Sequence, residues 1–143
     1  MQISSLLAGK KVQTIDPDAT IEVLCQALSV LKIGALVVSN NGKKIMGIVS
    51  ERDIVQALAI HIHDIDKIYV RDIMTVNVMT CTKDSTIAEL MALMTDKRIR
   101  HVPVVDVEGE LLSIISIGDV VKSYVSEIDL ERSALINYVN SAG

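Results

Sequence analysis

The chain has 143 residues, half of them hydrophobic, with 14 Lys and Arg against 18 Asp and Glu for a formal net charge of −4. That is the length of one typical domain, too short for two independent domains of ordinary size. A net negative chain without Trp or Phe has neither the cationic surplus nor the stacking rings of a nucleic-acid binder, so no nucleic acid is expected as a partner.

From the N-terminus, MQISSLLAGKK has neither the basic start nor the long apolar stretch of a signal peptide, and no later apolar run approaches the roughly 18 residues of a membrane span. No membrane partner is expected, and the cytoplasm is the default location. Val12 begins a segment that continues to Val55 and lies without a gap over Val78 to Val121. Matching residues are always 66 positions apart, as Asp53 and Asp119 are. Thr14/Thr80, Asp18/Asp84, Thr20/Thr86, Leu24/Leu90, Val38/Val104, Ile48/Ile114 and Ser50/Ser116 all coincide. Several of these pairs are polar, and core packing alone does not demand them twice.

Each copy reads as strand, helix, strand, turn, strand, helix. After Thr20 the apolar residues Ile21, Leu24, Leu28 and Leu31 fall at helical spacing, and after Thr86 so do Ile87, Leu90, Met91 and Met94. Thr86 with Glu89 fits a reciprocal cap. ALVVS, an Asn-Asn-Gly turn and IMGIVS then predict a hairpin, answered by VPVVD, Glu108-Gly109 and LLSIIS. A second helix follows each hairpin, carrying Ile54, Val55, Leu58 and Ile62 in one copy and Val120, Val121, Val125 and Ile128 in the other. The expected class is α/β: two β-α-β-β-α units packed sheet to sheet about a pseudo-twofold axis, with a C-terminal helix. A unit of about 55 residues buries only about 60% of its unfolded surface. The halves therefore need each other, and their junction forms two related clefts.

The expected boundaries are a first repeat with an N-terminal arm over 1–62, a surface connection over 63–77 with a helical element at VRDIM, a second repeat over 78–126 and a helical tail over 127–143. Ile128, Leu135, Ile136 and Val139 share one face of that tail, which is expected to cover the domain or meet a partner. Cys25 and Cys81 lie far apart in apolar segments without CxxC spacing and are expected to be buried, inert thiols. His61, His63, Asp64 and Asp66 have metal-ligand chemistry, but no second cluster completes a site, so no metal is expected.

The repeated polar element is a strand ending in Ser, then two residues, then Asp at a helix start: Ser50 and Asp53, Ser116 and Asp119. As structure it caps a helix, which is worth about 1 kcal/mol. As function, the helix N-terminus offers N–H groups to an anion and the carboxylate accepts from two vicinal ribose hydroxyls. A diol beside a phosphate describes a nucleotide. On its residues alone, the segment at Arg98, Arg100 and His101 reads first as the solvated edge of a helix-to-strand turn.

GIVSERDI, SIISIGDV, RIRHVPVVD and VRDIMT together resemble the motifs of the cystathionine-β-synthase (CBS) domain in its tandem form, the Bateman module, and the resemblance spans about residues 10–126. It implies a regulatory, non-catalytic module that binds AMP, ADP, ATP, NAD or S-adenosylmethionine as regulatory ligand, with no required cofactor and with homodimers as the common assembly. By the same resemblance, Asp53 and Asp119 hold ribose beside Ser50 and Ser116. Thr20 and Thr86 contact the nucleotide, Thr14, Ile15, Thr80 and Cys81 flank the base, and Arg100 with His101 reaches phosphate, as in the γ subunit of AMP-activated protein kinase. Gly34 and Ala35 stand where the first repeat would carry that basic pair, so the clefts are not equivalent. Without Trp or Phe, a purine is expected to lie between aliphatic walls such as Ile15, Ile48, Val102 and Ile114. The alternative is an interaction or dimerisation module with no obligatory ligand. A nucleotide hydrolase is disfavoured, since no Gly-rich phosphate loop or nucleophile–base pair is evident.

Overall fold

A computed structural model describes residues 2–7 and 12–142. Strand β1 (Thr14–Ile15) leads into helix α1 (Ile21–Leu31), strands β2 (Ala35–Val38) and β3 (Gly47–Ser50), and helix α2 (Glu51–His61). A short helix α3 (Val70–Ile73) precedes α4 (Ile87–Lys97), β4 (His101–Val105), β5 (Leu111–Ser116) and the long α5 (Ile117–Ala142). β1 runs parallel to β2, and β2 antiparallel to β3 with Val37 opposite Ile48. β4 and β5 form the second hairpin, with His101 opposite Ser116. The first strand expected of the second repeat is reduced to one parallel bridge, Cys81 to Val104. Both hairpin turns rest on a glycine with positive φ, Gly42 at 77° and Gly109 at 81°, the backbone state that a side chain resists.

The two first helices form for the same local reasons. Thr20 Oγ1 accepts from Val23 N–H at 3.2 Å, and Thr86 Oγ1 accepts from Glu89 N–H at 3.1 Å while Glu89 reaches back to Thr86 N–H. Their buried stripes match, Ile21, Leu24 and Leu28 in α1 against Ile87, Leu90 and Met94 in α4. Both helices end on a residue with φ of 54°, Lys32 and Arg98. Neither is glycine, so each turn holds a conformation that costs an L-residue about 1–2 kcal/mol.

Each half has its own core, and each core is completed by a segment from the other half. Ile3, fully buried, sits with Ile87, Leu90, Val102 and Ile115, and its N–H donates to Ser85 O at 3.0 Å. Val70, also fully buried, sits with Ile21, Leu24 and Val49, and its N–H donates to Ala19 O at 2.9 Å. The connection expected to lie on the surface over 63–77 therefore contains a core residue of the first repeat. The arm assigned to the first repeat packs on the second. Fully buried Val37 belongs to neither core cluster; strand alternation places it on the opposite face of β2 from Leu36 and Val38.

The exchange also explains one glycine. Thr75 bridges Ile48 through two backbone bonds of 2.9 and 3.0 Å, which brings the connection against β3. A side-chain carbon at Gly47 would stand 2.7 Å from Met74 Sδ and 2.8 Å from Thr75 O. Only glycine fits there.

Two expectations need correction, and the second helices bury fewer of their apolar residues than they carry. Cys25 is exposed, because it lies one position beyond the buried stripe of α1, whereas Cys81 is buried. Of the apolar residues placed on the second helices, Ile54 and Val120 are buried, but Val55, Leu58, Ile62, Val121, Val125 and Ile128 are exposed, since each helix touches its sheet along a single stripe. The tail is not a separate cover: α5 continues without a break through residue 127, and Leu135, Ile136 and Val139 are exposed.

Candidate ligand cleft

The strand-to-helix turn at the end of β3 is closed by its own carboxylate. Asp53 Oδ2 accepts from Ser50 N–H at 2.8 Å and from Ser50 Oγ at 3.1 Å. The second repeat does the same, with Asp119 Oδ2 at 3.0 Å from both Ser116 N and Ser116 Oγ, and Asp119 N–H returning a bond to Ser116 Oγ. The capping chemistry is therefore present in both turns. It engages one carboxylate oxygen of Asp53, Oδ2.

A cleft of about 690 Å³ opens beside the first of these turns, within the usual range for small-molecule sites. It is lined by Ile48, Ser50 and Asp53 from the first repeat, by Arg98, Ile99, Arg100 and His101 from the second, and by Thr75, Asn77, Val78 and Met79 where the connection meets the second repeat. The expected basic pair thus lies in the cleft of Asp53, across the junction from its own repeat. Gly34 lies directly beside it: a side-chain carbon there would meet His101 Cε1 at 3.4 Å and Glu51 Cδ at 3.8 Å, ordinary van der Waals contact.

Among the residues proposed from sequence, Ser50, Asp53, Arg100 and His101 meet in this cleft, and Ile48 is the one suggested aliphatic wall that lines it. The others lie elsewhere. Ile15 and Val102 are core residues, Thr14 pairs with Val37 on β1, and Thr20 and Thr86 cap their helices. Ser116 and Asp119 form the second turn outside the lining. Thr80 borders a separate cavity of about 550 Å³ between the two hairpin turns, with Lys43, Lys44 and Glu108. Cys81 lies in the second core, where burial pushes its thiol up to about 11. Lys32 and Arg52 also line the cleft and were not singled out from sequence. The repeat offered the signal: Lys32 stands 66 positions before Arg98.

His101 is the titratable centre. Burial lowers its pKa below the ordinary value of 6.5, against the opposing pull of the Glu51 and Asp119 carboxylates, and Arg100 lowers it further. The imidazole is neutral at pH 7. The unfolded chain takes up a proton at higher pH than the folded one, so stability falls as pH drops from about 6.5 through the folded value. In urea unfolding between pH 7 and pH 5, His101→Gln is expected to lose less stability than the parent chain.

Among the described residues no helix is long and apolar enough to cross a membrane. His61 Nδ1 and the Asp64 carboxylate form an i,i+3 pair at 3.3 Å.

Comparison with known proteins identifies the family. The family model of the CBS domain matches twice, over residues 3–60 and 70–126. The chain spans 59–71% of the length of curated relatives that it matches at 32–34% identity. The CBS-domain protein ATU1752 of Agrobacterium tumefaciens has a similar structure, with a TM-score of 0.81 and 41% identity over 87% of this chain and 99% of that one. Two more distant structures share the fold. They are the CBS pair of protein MJ0100 in complex with 5-methylthioadenosine and S-adenosyl-L-methionine, with a TM-score of 0.76 and 24% identity over 87% and 99% of the two chains, and CBSX2 in complex with AMP, with a TM-score of 0.74 and 18% identity over 87% and 97%. With both halves matched, exchanged opening segments included, the chain belongs to the CBS-domain family as a tandem pair.

Proposed function

We propose that the protein is a regulatory module that binds an adenosine-containing ligand in the cleft of Asp53, ribose against the carboxylate and phosphate against Arg100 and His101. The observation that carries this reading is the convergence of a hydrogen-bonded Ser–Asp turn from one repeat with a basic segment from the other in a single cleft. AMP in CBSX2 and the adenosine compounds in MJ0100 support the ligand class. Because the cleft is walled by both repeats, an occupant changes the relation between them to the extent that it binds one arrangement better than another. The role is regulatory and not catalytic: Ser50 and Asp53 are bound to each other as a cap, and Ser116 and Asp119 repeat the arrangement.

The exposed apolar faces of α2 and α5, with Val55 65% and Val125 49% exposed, support a homodimer and an interaction surface as the output. They also sustain the second reading, an assembly module with no obligatory ligand. Thermal unfolding with excess adenosine, AMP, ADP, ATP, NAD, S-adenosylmethionine and GMP separates the two. An adenosine ligand at 100 times its Kd adds about 2.7 kcal/mol of stability, a rise of several degrees. A flat panel would leave only the assembly reading.

A further inference from the structure

The charge lining the cleft runs against the charge of the chain. Among the described residues it carries Lys32, Arg52, Arg98 and Arg100 against two carboxylates, Glu51 and Asp53, in a protein of net charge −4. One phosphate placed at Arg100 and His101 leaves Lys32, Arg52 and Arg98 without an anionic counterpart on the ligand. An adenosine with a thioether tail, or with the cationic sulfonium of S-adenosylmethionine, leaves all of them so.

Lys32 and Arg98 carry a second, independent mark. They occupy the same place in the two repeats, the residue after α1 and after α4, and both hold φ at 54°. Glycine is the usual residue at such a helix end, since it has no side chain to strain. A cation near a helix C-terminus also complements the helix dipole; α4 already has Lys97 in its last turn, whereas α1 has no basic residue there, so the dipole leaves Arg98 unexplained. Strained backbone retained twice, each time under a cation that borders one cleft, is the pattern of a functional position.

We propose that this cleft selects a nucleoside di- or triphosphate, with Lys32 and Arg98 holding the phosphates beyond the first from opposite repeats. The proposal rests on the adenosine reading above and assigns that site its ligand class. The nucleoside sits at Asp53, the first phosphate at Arg100 and His101, and the outer phosphates at the exposed mouth, where Lys32 and Arg98 bracket them and Arg52 adds charge.

The test is calorimetric titration of the whole chain with adenosine, AMP, ADP, ATP and S-adenosylmethionine, without magnesium and at one salt concentration. It is repeated on the double variant Lys32→Gly with Arg98→Gly. The parent chain is expected to bind ATP at least about tenfold more tightly than AMP, the gain of roughly one added charge-assisted contact. In the double variant that step should shrink to about threefold or less, with AMP and adenosine unchanged. Because glycine accepts the backbone state at both positions, the thermal midpoint of the ligand-free variant should match or exceed that of the parent, which separates loss of binding from loss of fold. Equal affinity for AMP and ATP in the parent chain, or an ATP step that survives in the variant, overturns the proposal and leaves the adenosine site standing. Failure of every adenosine compound to bind the parent chain removes both.

Discussion

Asp53→Asn is expected to weaken binding of an adenosine ligand about 100-fold or more while the protein stays folded. The carboxylate already gives Oδ2 to Ser50 N–H and Oγ, so a ribose diol engages the remaining oxygen and the shared negative charge. Hydrogen bonds to a charged group contribute about 1.5–3 kcal/mol each, and each 1.4 kcal/mol is tenfold. Asparagine keeps one oxygen for the cap but presents an amide N–H₂ to the hydroxyls, so the site loses its acceptor and its charge together. The cap itself is typically worth about 1 kcal/mol, which keeps the fall in the thermal midpoint to several degrees. Asp119→Asn is the comparator. It alters the equivalent turn of the other repeat and should leave titration at the Asp53 cleft close to that of the parent chain.

The largest effect on stability is expected near the N-terminus. Ile3 is fully buried against Ile87, Leu90 and Ile115, more than 80 residues away in sequence. Ile3→Ala removes that packing and leaves a cavity, at a cost of about 2–5 kcal/mol and a midpoint lower by on the order of 10 °C. The damage should fall on the second half: amide exchange in α4 and β5 should quicken more than in α1 and β3. Val70→Ala is the mirror experiment, and its effect should fall on α1. If Ile3→Ala loosened the first half instead, the exchange of opening segments would be wrong.

Much of this fold is readable in the sequence because period and polarity agree. Ile21, Leu24 and Leu28 recur as Ile87, Leu90 and Met94, and the Ser–Asp turns recur where packing does not require them. The exchange is not readable in that way. ISSL and VRDI share one β-branched residue at their first position and little else, and a buried Ile3 looks the same in sequence as an Ile on a loose arm. The composition of the cleft was legible only in part, because Arg100 belongs to one repeat and Asp53 to the other and only the packing of the halves brings them together. Lys32 escaped notice, and Arg98 was seen only as part of a basic segment, because sequence alone does not reveal a positive φ at a lysine or an arginine. Cys25 was misplaced because one step along α1 carries a residue from the buried stripe to solvent.

The most direct test of the ligand cleft is an amide and imidazole NMR map during titration with AMP. The account predicts saturable shifts at Gly34, Ser50, Asp53 and His101, with the His101 pKa raised as phosphate neutralises its basic surroundings. Shifts confined to the hairpin-turn cavity at Lys43, Thr80 and Glu108, or none at any AMP concentration, would contradict it.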